Sequence, residues 1–103
     1  MKIYYIAGPY RADSIRGVQQ NIERASDVAY KYWKEGHAVI CPHKNTSFFD
    51  GQEFEDASIW LKGDLEILKR CDVIVMMKDW EKSIGASNEL AYAESLKKEI
   101  IYE

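Results

Sequence analysis

A chain of 103 residues, 47% of them apolar, has room for one folded domain spanning residues 1–103, with a modest core. The net charge of −3, with acids and bases interspersed, excludes the basic stripe that a nucleic-acid partner requires. No apolar run approaches the ~18 residues of a membrane span, so no membrane partner is expected. Residues 1–7 read as a strand rather than as a leader peptide, which makes the cytoplasm the expected compartment. Cys41 and Cys71 stand at the edges of apolar runs, in neither CxxC nor Cys/His spacing. They read as reduced, buried thiols and not as metal ligands.

Residues 2–7 (KIYYIA) are β-branched and aromatic, which predicts a strand. Gly8 and Pro9 end it, and the loop GPYRADS follows. A first helix is expected to carry Ile15, Val18, Ile22, Ala25, Ala29 and Tyr32 on one face, at steps of three and four, and to be capped by Gly36. Residues 37–41 (HAVIC) form a second short strand stopped by Pro42. Residues 43–55 read as a long loop, which in a compact domain tends to be functional. A second helix is predicted over about residues 56–70, with Ile59, Trp60, Leu61, Leu65 and Leu68 facing inward. Residues 72–77 form a strand buried on both faces. The polar loop 78–83 then leads into a third helix opened by Gly85, with Leu90, Ala93 and Leu96 as its apolar stripe. Residues 100–102 form a last strand.

This βαβαβαβ alternation predicts an α/β domain: a Rossmann-like, flavodoxin-like parallel sheet of four to five strands in the order 2-1-3-4(-5), with helices on both faces. The switch point then falls between the first and third strands, where the loop 8–14 faces the loop 78–83 across one crevice.

Four features converge on that crevice. Glu89 is placed in the first turn of the third helix, where the helix dipole favours an ionised carboxylate. Asp64 lies one turn after Trp60 and one before Leu68. A carboxylate on that apolar face is either functional or a surface-edge acid matched to Lys62 or Lys69. Tyr4 and Tyr5 point to opposite faces of the first strand, so one of them can reach the crevice, although a strand tyrosine is more often core. Tyr10 joins Tyr5 as the tyrosine pair at that point; Gly8, Arg11, Ser83, Gly85 and Ser87 supply the small and donor-bearing groups that suit a phosphate, while Ser83 before a helix also reads as an ordinary cap. His43 follows the second strand and can border the crevice; a lone His is no metal site. No GxGxxG follows the first strand and there is no Walker lysine, so no dinucleotide cofactor is expected, and no other cofactor either.

Three stretches, IYYIAGPYR, DLEILKRCDVIVMM and SIGASNELAYA, resemble the nucleoside 2-deoxyribosyltransferase superfamily, which includes the 2′-deoxynucleoside 5′-phosphate N-hydrolases. The resemblance spans nearly the whole chain. It implies an enzyme that cleaves an N-glycosidic bond, with a small-molecule nucleoside or nucleotide as partner. The nucleophilic glutamate of the G-x-x-x-E helix start corresponds to Glu89, with Gly85 as its glycine. The acid beside the leaving base corresponds to Asp64, the first-strand tyrosine that holds the nucleophile to Tyr5, and the first loop to Gly8, Pro9, Tyr10 and Arg11. Transferases acting on free nucleosides usually have an aspartate six residues before the nucleophile. Ser83 stands there, as in the nucleotide hydrolases, and with Arg11 it favours a 5′-monophosphate. Pro9 departs from the serine that those hydrolases carry. A non-catalytic nucleotide-binding or sensor module of the same fold is the competing reading. Trp33, Phe48, Phe49, Trp60 and Trp80 are more large aromatics than so small a core can enclose, so at least a homodimer covering the crevice is expected.

Overall fold

A computed structural model describes residues 1–49 and 58–103. Its elements, in order, are β1 (Ile3–Ala7), α1 (Ile15–Lys34), β2 (Ala38–Ile40), the short α2 (Pro42–Asn45), α3 (Ser58–Lys69), β3 (Val73–Met76), α4 (Ile84–Ser95) and β4 (Glu99–Tyr102), with single 3-10 turns at Ser47–Phe49 and Trp80–Lys82. The four strands pair in parallel in the order β2-β1-β3-β4, as the alternation predicts. In register, Tyr5 of β1 lies beside Ile40 of β2 and Ile74 of β3.

The pleat divides the core into two layers. Tyr4, Ile6, Val73 and Val75 pack under Ala25, Ala29 and Tyr32 of α1 on one face. Tyr5, Ala7, Ile74 and Met76 pack under Leu68 of α3 and Ala86, Leu90 and Ala93 of α4 on the other. Every β3 side chain is buried, which explains why that strand reads as a continuous apolar run.

Local chemistry sets the ends of the elements. Ser14 caps α1 by accepting the Gly17 amide at 3.0 Å. Gly36, at φ +94°, closes the helix: its amide reaches the Trp33 carbonyl, and the His37 amide reaches that of Tyr32. Gly8 is needed for a different reason. A Cβ built there would stand 2.5 Å from the Met77 sulfur and 2.7 Å from Met77 Cβ, so the first loop leaves β1 pressed against the exit of β3.

Several expectations are corrected. Ile15 is 81% exposed, and the α1 contribution to the core starts at Ala25. A 20-residue helix is about 30 Å long, whereas a five-residue strand spans only about 17 Å, so one end of α1 overhangs the sheet. In α3 only Leu68 is fully buried, and Ile59 and Leu61 are exposed. Leu96 is the C-cap of α4, not a member of its buried stripe. The start of the expected long loop folds as α2 and a 3-10 turn, while its remainder, with Asp50 and Gly51, and the predicted start of the second helix lie outside the described residues. Among the described residues, no helix is long and apolar enough to cross a membrane.

Candidate active site

A cavity of about 1090 Å³ opens at the carboxyl ends of β1 and β3, the switch point of the sheet. Gly8, Pro9, Tyr10 and Arg11 form one wall. Lys82, Ser83 and Gly85 form the facing wall, so the two loops meet across the crevice as expected. His43, Asp64 and Glu89 complete the set of expected residues on its lining.

Glu89 comes into the cavity from α4. It is the sixth residue of that helix and stands in its second turn, not its first. Unpaired terminal amides and the dipole therefore do little for it. Its environment is set by burial and by Tyr5. The phenol of Tyr5, fully buried, donates a hydrogen bond to Glu89 Oε2. Strand alternation sends Tyr4 to the other face, where it stacks on His37 at 4.2 Å. Burial pushes Glu89 up to about 7, opposed by the Tyr5 hydrogen bond and assisted by the negative charge of Asp64. Burial therefore works against the ionised form that a helix start was expected to favour. Burial likewise pushes the Tyr5 phenol well above its ordinary range, so it stays a donor.

Asp64 lines the cavity from α3, and burial pushes its carboxyl to about 6. Neither Lys62 nor Lys69 forms an ion pair with it among the described residues. That arrangement gives no support to the surface-edge reading of Asp64. Two carboxyl groups raised by burial and facing one cavity are the pattern from which acid–base and nucleophilic roles are drawn.

His43 borders the cavity but has a structural duty. Its Nε2 stands 2.7 Å from the Pro9 carbonyl, so that nitrogen carries the proton and donates. Burial lowers its pKa, which keeps the ring neutral, and it meets Tyr10 edge-to-face at 5.5 Å. Ser83 is the N-cap of α4, its Oγ accepting the Ala86 amide at 3.1 Å while its own proton can still be donated into the cavity. The helix thus begins at Ile84, one residue before the expected Gly85. A Cβ at Gly85 would meet only Ser83 Oγ, at 3.9 Å, which leaves open space beside the backbone for a bound group. Ser87, grouped with these donors in sequence, does not line the cavity.

Sequence reasoning missed the apolar side of the site. Phe49 and Trp60 stack at 5.7 Å with ring planes 27° apart, and both face the cavity. Trp60 reads as a core residue in sequence because helical spacing separates faces of a helix without telling a core from a crevice. Leu61 is 63% exposed for the same reason: it lines the open cavity. The available signal was the pair of phenylalanines in an otherwise polar stretch.

Fold and site define a flavodoxin-like parallel α/β domain whose switch-point crevice is lined by two carboxyl groups, one of them held by a buried tyrosine. Among solved structures, it is similar to a 2-deoxyribosyltransferase from the psychrotolerant bacterium Bacillus psychrosaccharolyticus, with a TM-score of 0.66 and 21% identity over 97% of this chain and 70% of that one. It is also similar to a 2-deoxyribosyltransferase from Leishmania mexicana, with a TM-score of 0.68 and 20% identity. That match covers 99% of this chain but only 63% of the length of the Leishmania protein. At such identity these likenesses establish the shared fold. The chain belongs to the DUF4406 family, a domain of unknown function, which matches residues 1–102. No curated protein matches the sequence.

Proposed function

We propose that the cavity is the active site of an N-glycosidase or 2-deoxyribosyltransferase acting on a 2′-deoxynucleoside 5′-monophosphate or a 2′-deoxynucleoside. The observation that carries this reading is that Glu89, held from behind by the buried Tyr5, and Asp64 line one cavity large enough for a nucleotide. In the first step a Glu89 oxygen forms a bond to the anomeric carbon as the bond to the base nitrogen breaks. Asp64 gives its proton to the departing base, which leaves neutral. In the second step Asp64, now ionised, takes a proton from water or from a second base. That acceptor attacks the anomeric carbon and releases the Glu89 carboxylate. Tyr5 holds one Glu89 oxygen and leaves the other to attack.

The proton distribution needed for the first step has Glu89 ionised and Asp64 protonated. A substrate supports it: filling the cavity removes water from Asp64 and raises it further, while positive charge developing on the sugar favours the Glu89 carboxylate. The Phe49–Trp60 stack offers a flat apolar wall for the base. Arg11, the Ser83 hydroxyl and the open backbone at Gly85 offer charge and donors to a 5′-phosphate.

The test is incubation with a panel of deoxynucleoside monophosphates and deoxynucleosides, with released base followed by chromatography. Base release, faster with monophosphates, is expected. Binding without release across the panel would assign the non-catalytic, nucleotide-binding role instead.

A further inference from the structure

The backbone of the first cavity loop is held by side chains that lie outside the proposed chemistry. Asn21, half-buried on α1, donates from Nδ2 to the Tyr10 carbonyl at 3.0 Å, with the Arg11 carbonyl at 3.5 Å. Its Oδ1 accepts from Arg24 Nη2 at 3.2 Å. The other terminal nitrogen of Arg24 reaches Asp79 Oδ2 at 4.0 Å. Asp79 sits at φ +67° where the opposite loop turns, and it also pairs with Lys82 at 3.6 Å. A chain of polar contacts therefore runs from the wall bearing Tyr10 and Arg11, through α1, to the wall bearing Lys82 and Ser83.

We propose that Asn21 and Arg24 are positioning residues that set the two walls of the cavity at a fixed separation, so that groups on both can engage one substrate. This rests on the proposed function, since the walls are read as its sugar- and phosphate-binding sides. The Arg24–Asp79 pair is half-exposed and contributes little stability by itself. Its consequence is geometric. Asn21 is suited to the task because its amide both donates to the loop and accepts from Arg24, which ties its orientation at both ends. The position is a helix interior, where asparagine is a weaker helix former than alanine. A residue present only for the helix is thus improved by alanine, and a positioning residue is not.

The experiment compares Asn21→Ala, Asn21→Asp and Arg24→Lys with wild type for base release from a deoxynucleoside monophosphate, with melting temperature measured alongside. Asn21→Asp retains the acceptor for Arg24 and loses the donor for the loop. Both Asn21 variants are expected to lose about 10–100-fold in kcat/KM, mainly through KM, with an unchanged melting temperature and an unchanged pH midpoint. Arg24→Lys keeps the charge without the two-pronged geometry, and its loss is expected to be smaller. Wild-type kcat and KM in Asn21→Ala would overturn the proposal while leaving the proposed function standing. If wild type releases no base, that function fails separately, and hydrogen exchange of the amides in the loop 8–14 decides the strap. Faster exchange in Asn21→Ala sustains it, and unchanged exchange overturns it.

Discussion

At the scale of single residues the proposed mechanism depends on which of two carboxyl groups, Glu89 or Asp64, holds a proton. Burial pushes Glu89 to about 7 and Asp64 to about 6, and the proposed mechanism works with the pair singly protonated. The profile of kcat/KM for base release against pH is expected to be a bell with its maximum between those values. Asp64→Asn removes the falling limb, because no acid remains to deprotonate. The rising limb stays in place or moves slightly to higher pH, because Asp64 is already uncharged in the working form and Glu89 is then the only carboxyl of the two left to titrate. A profile that keeps both limbs in Asp64→Asn would remove Asp64 from the acid role. Glu89→Gln keeps the size of the side chain and an oxygen for Tyr5 while abolishing the proposed nucleophile, so base release is expected to fall by several orders of magnitude. Its stability effect has a definite sign. A carboxyl whose folded pKa is raised stabilises the fold fully below its unfolded value of 4.5, and that contribution is lost as pH rises through about 7. Glu89→Gln does not titrate, so its melting temperature relative to wild type is expected to increase from pH 4.5 to pH 8. The gain is on the order of 1–3 kcal/mol, and melting curves at the two pH values measure it.

Elements place these residues, and their junctions are sensitive points. Tyr5 meets Glu89 because β1 is central and α4 crosses the same face of the sheet. The first loop approaches β3 so closely that only glycine fits at position 8. In Gly8→Ala the new methyl conflicts with the backbone-proximal Met77 Cβ as well as with its movable sulfur. A loss of about 1–3 kcal/mol of stability is expected, together with weaker substrate binding, because the wall carrying Tyr10 and Arg11 is pushed from its seat. A melting temperature equal to wild type would mean that the loop relaxes freely, and KM would then report whether the wall has moved.

For the whole molecule, the open question is what covers the apolar rim of the cavity. Phe48, Phe49, Leu61 and Ile84 are exposed, and the last three line the cavity. Trp33 is also exposed, on α1, whereas Trp60 and Trp80 are half-buried. These surfaces lead to the expectation of at least a homodimer that covers the crevice. Sedimentation at micromolar concentration is expected to return a dimer or larger species, and a monomer would contradict it.

How much was legible in the sequence follows from the range of each interaction. Strand and helix identities, the parallel order β2-β1-β3-β4 and the position of the crevice depend on local periodicity and on topological rules, which a single sequence carries. The Gly36 turn and the placing of Asp64 and Glu89 on one crevice were legible for the same reason, whereas Tyr5 reaches that crevice only through its hydrogen bond to Glu89. Glu89 was expected in the first turn of its helix but is the sixth residue of one that begins at Ile84, with Ser83 as its N-cap. The raised pKa values were not legible, since they arise from burial by side chains distant in sequence. Nor was the exposure of Ile15 and Leu61, because a hydrophobic stripe records a face of a helix and not how far the sheet beneath it extends. Asn21 is the clearest case: nothing in its local pattern distinguishes it from a surface asparagine. Only the tertiary structure brings the Tyr10 carbonyl to it, because a loop's backbone path is set by packing between elements and not by its own residues.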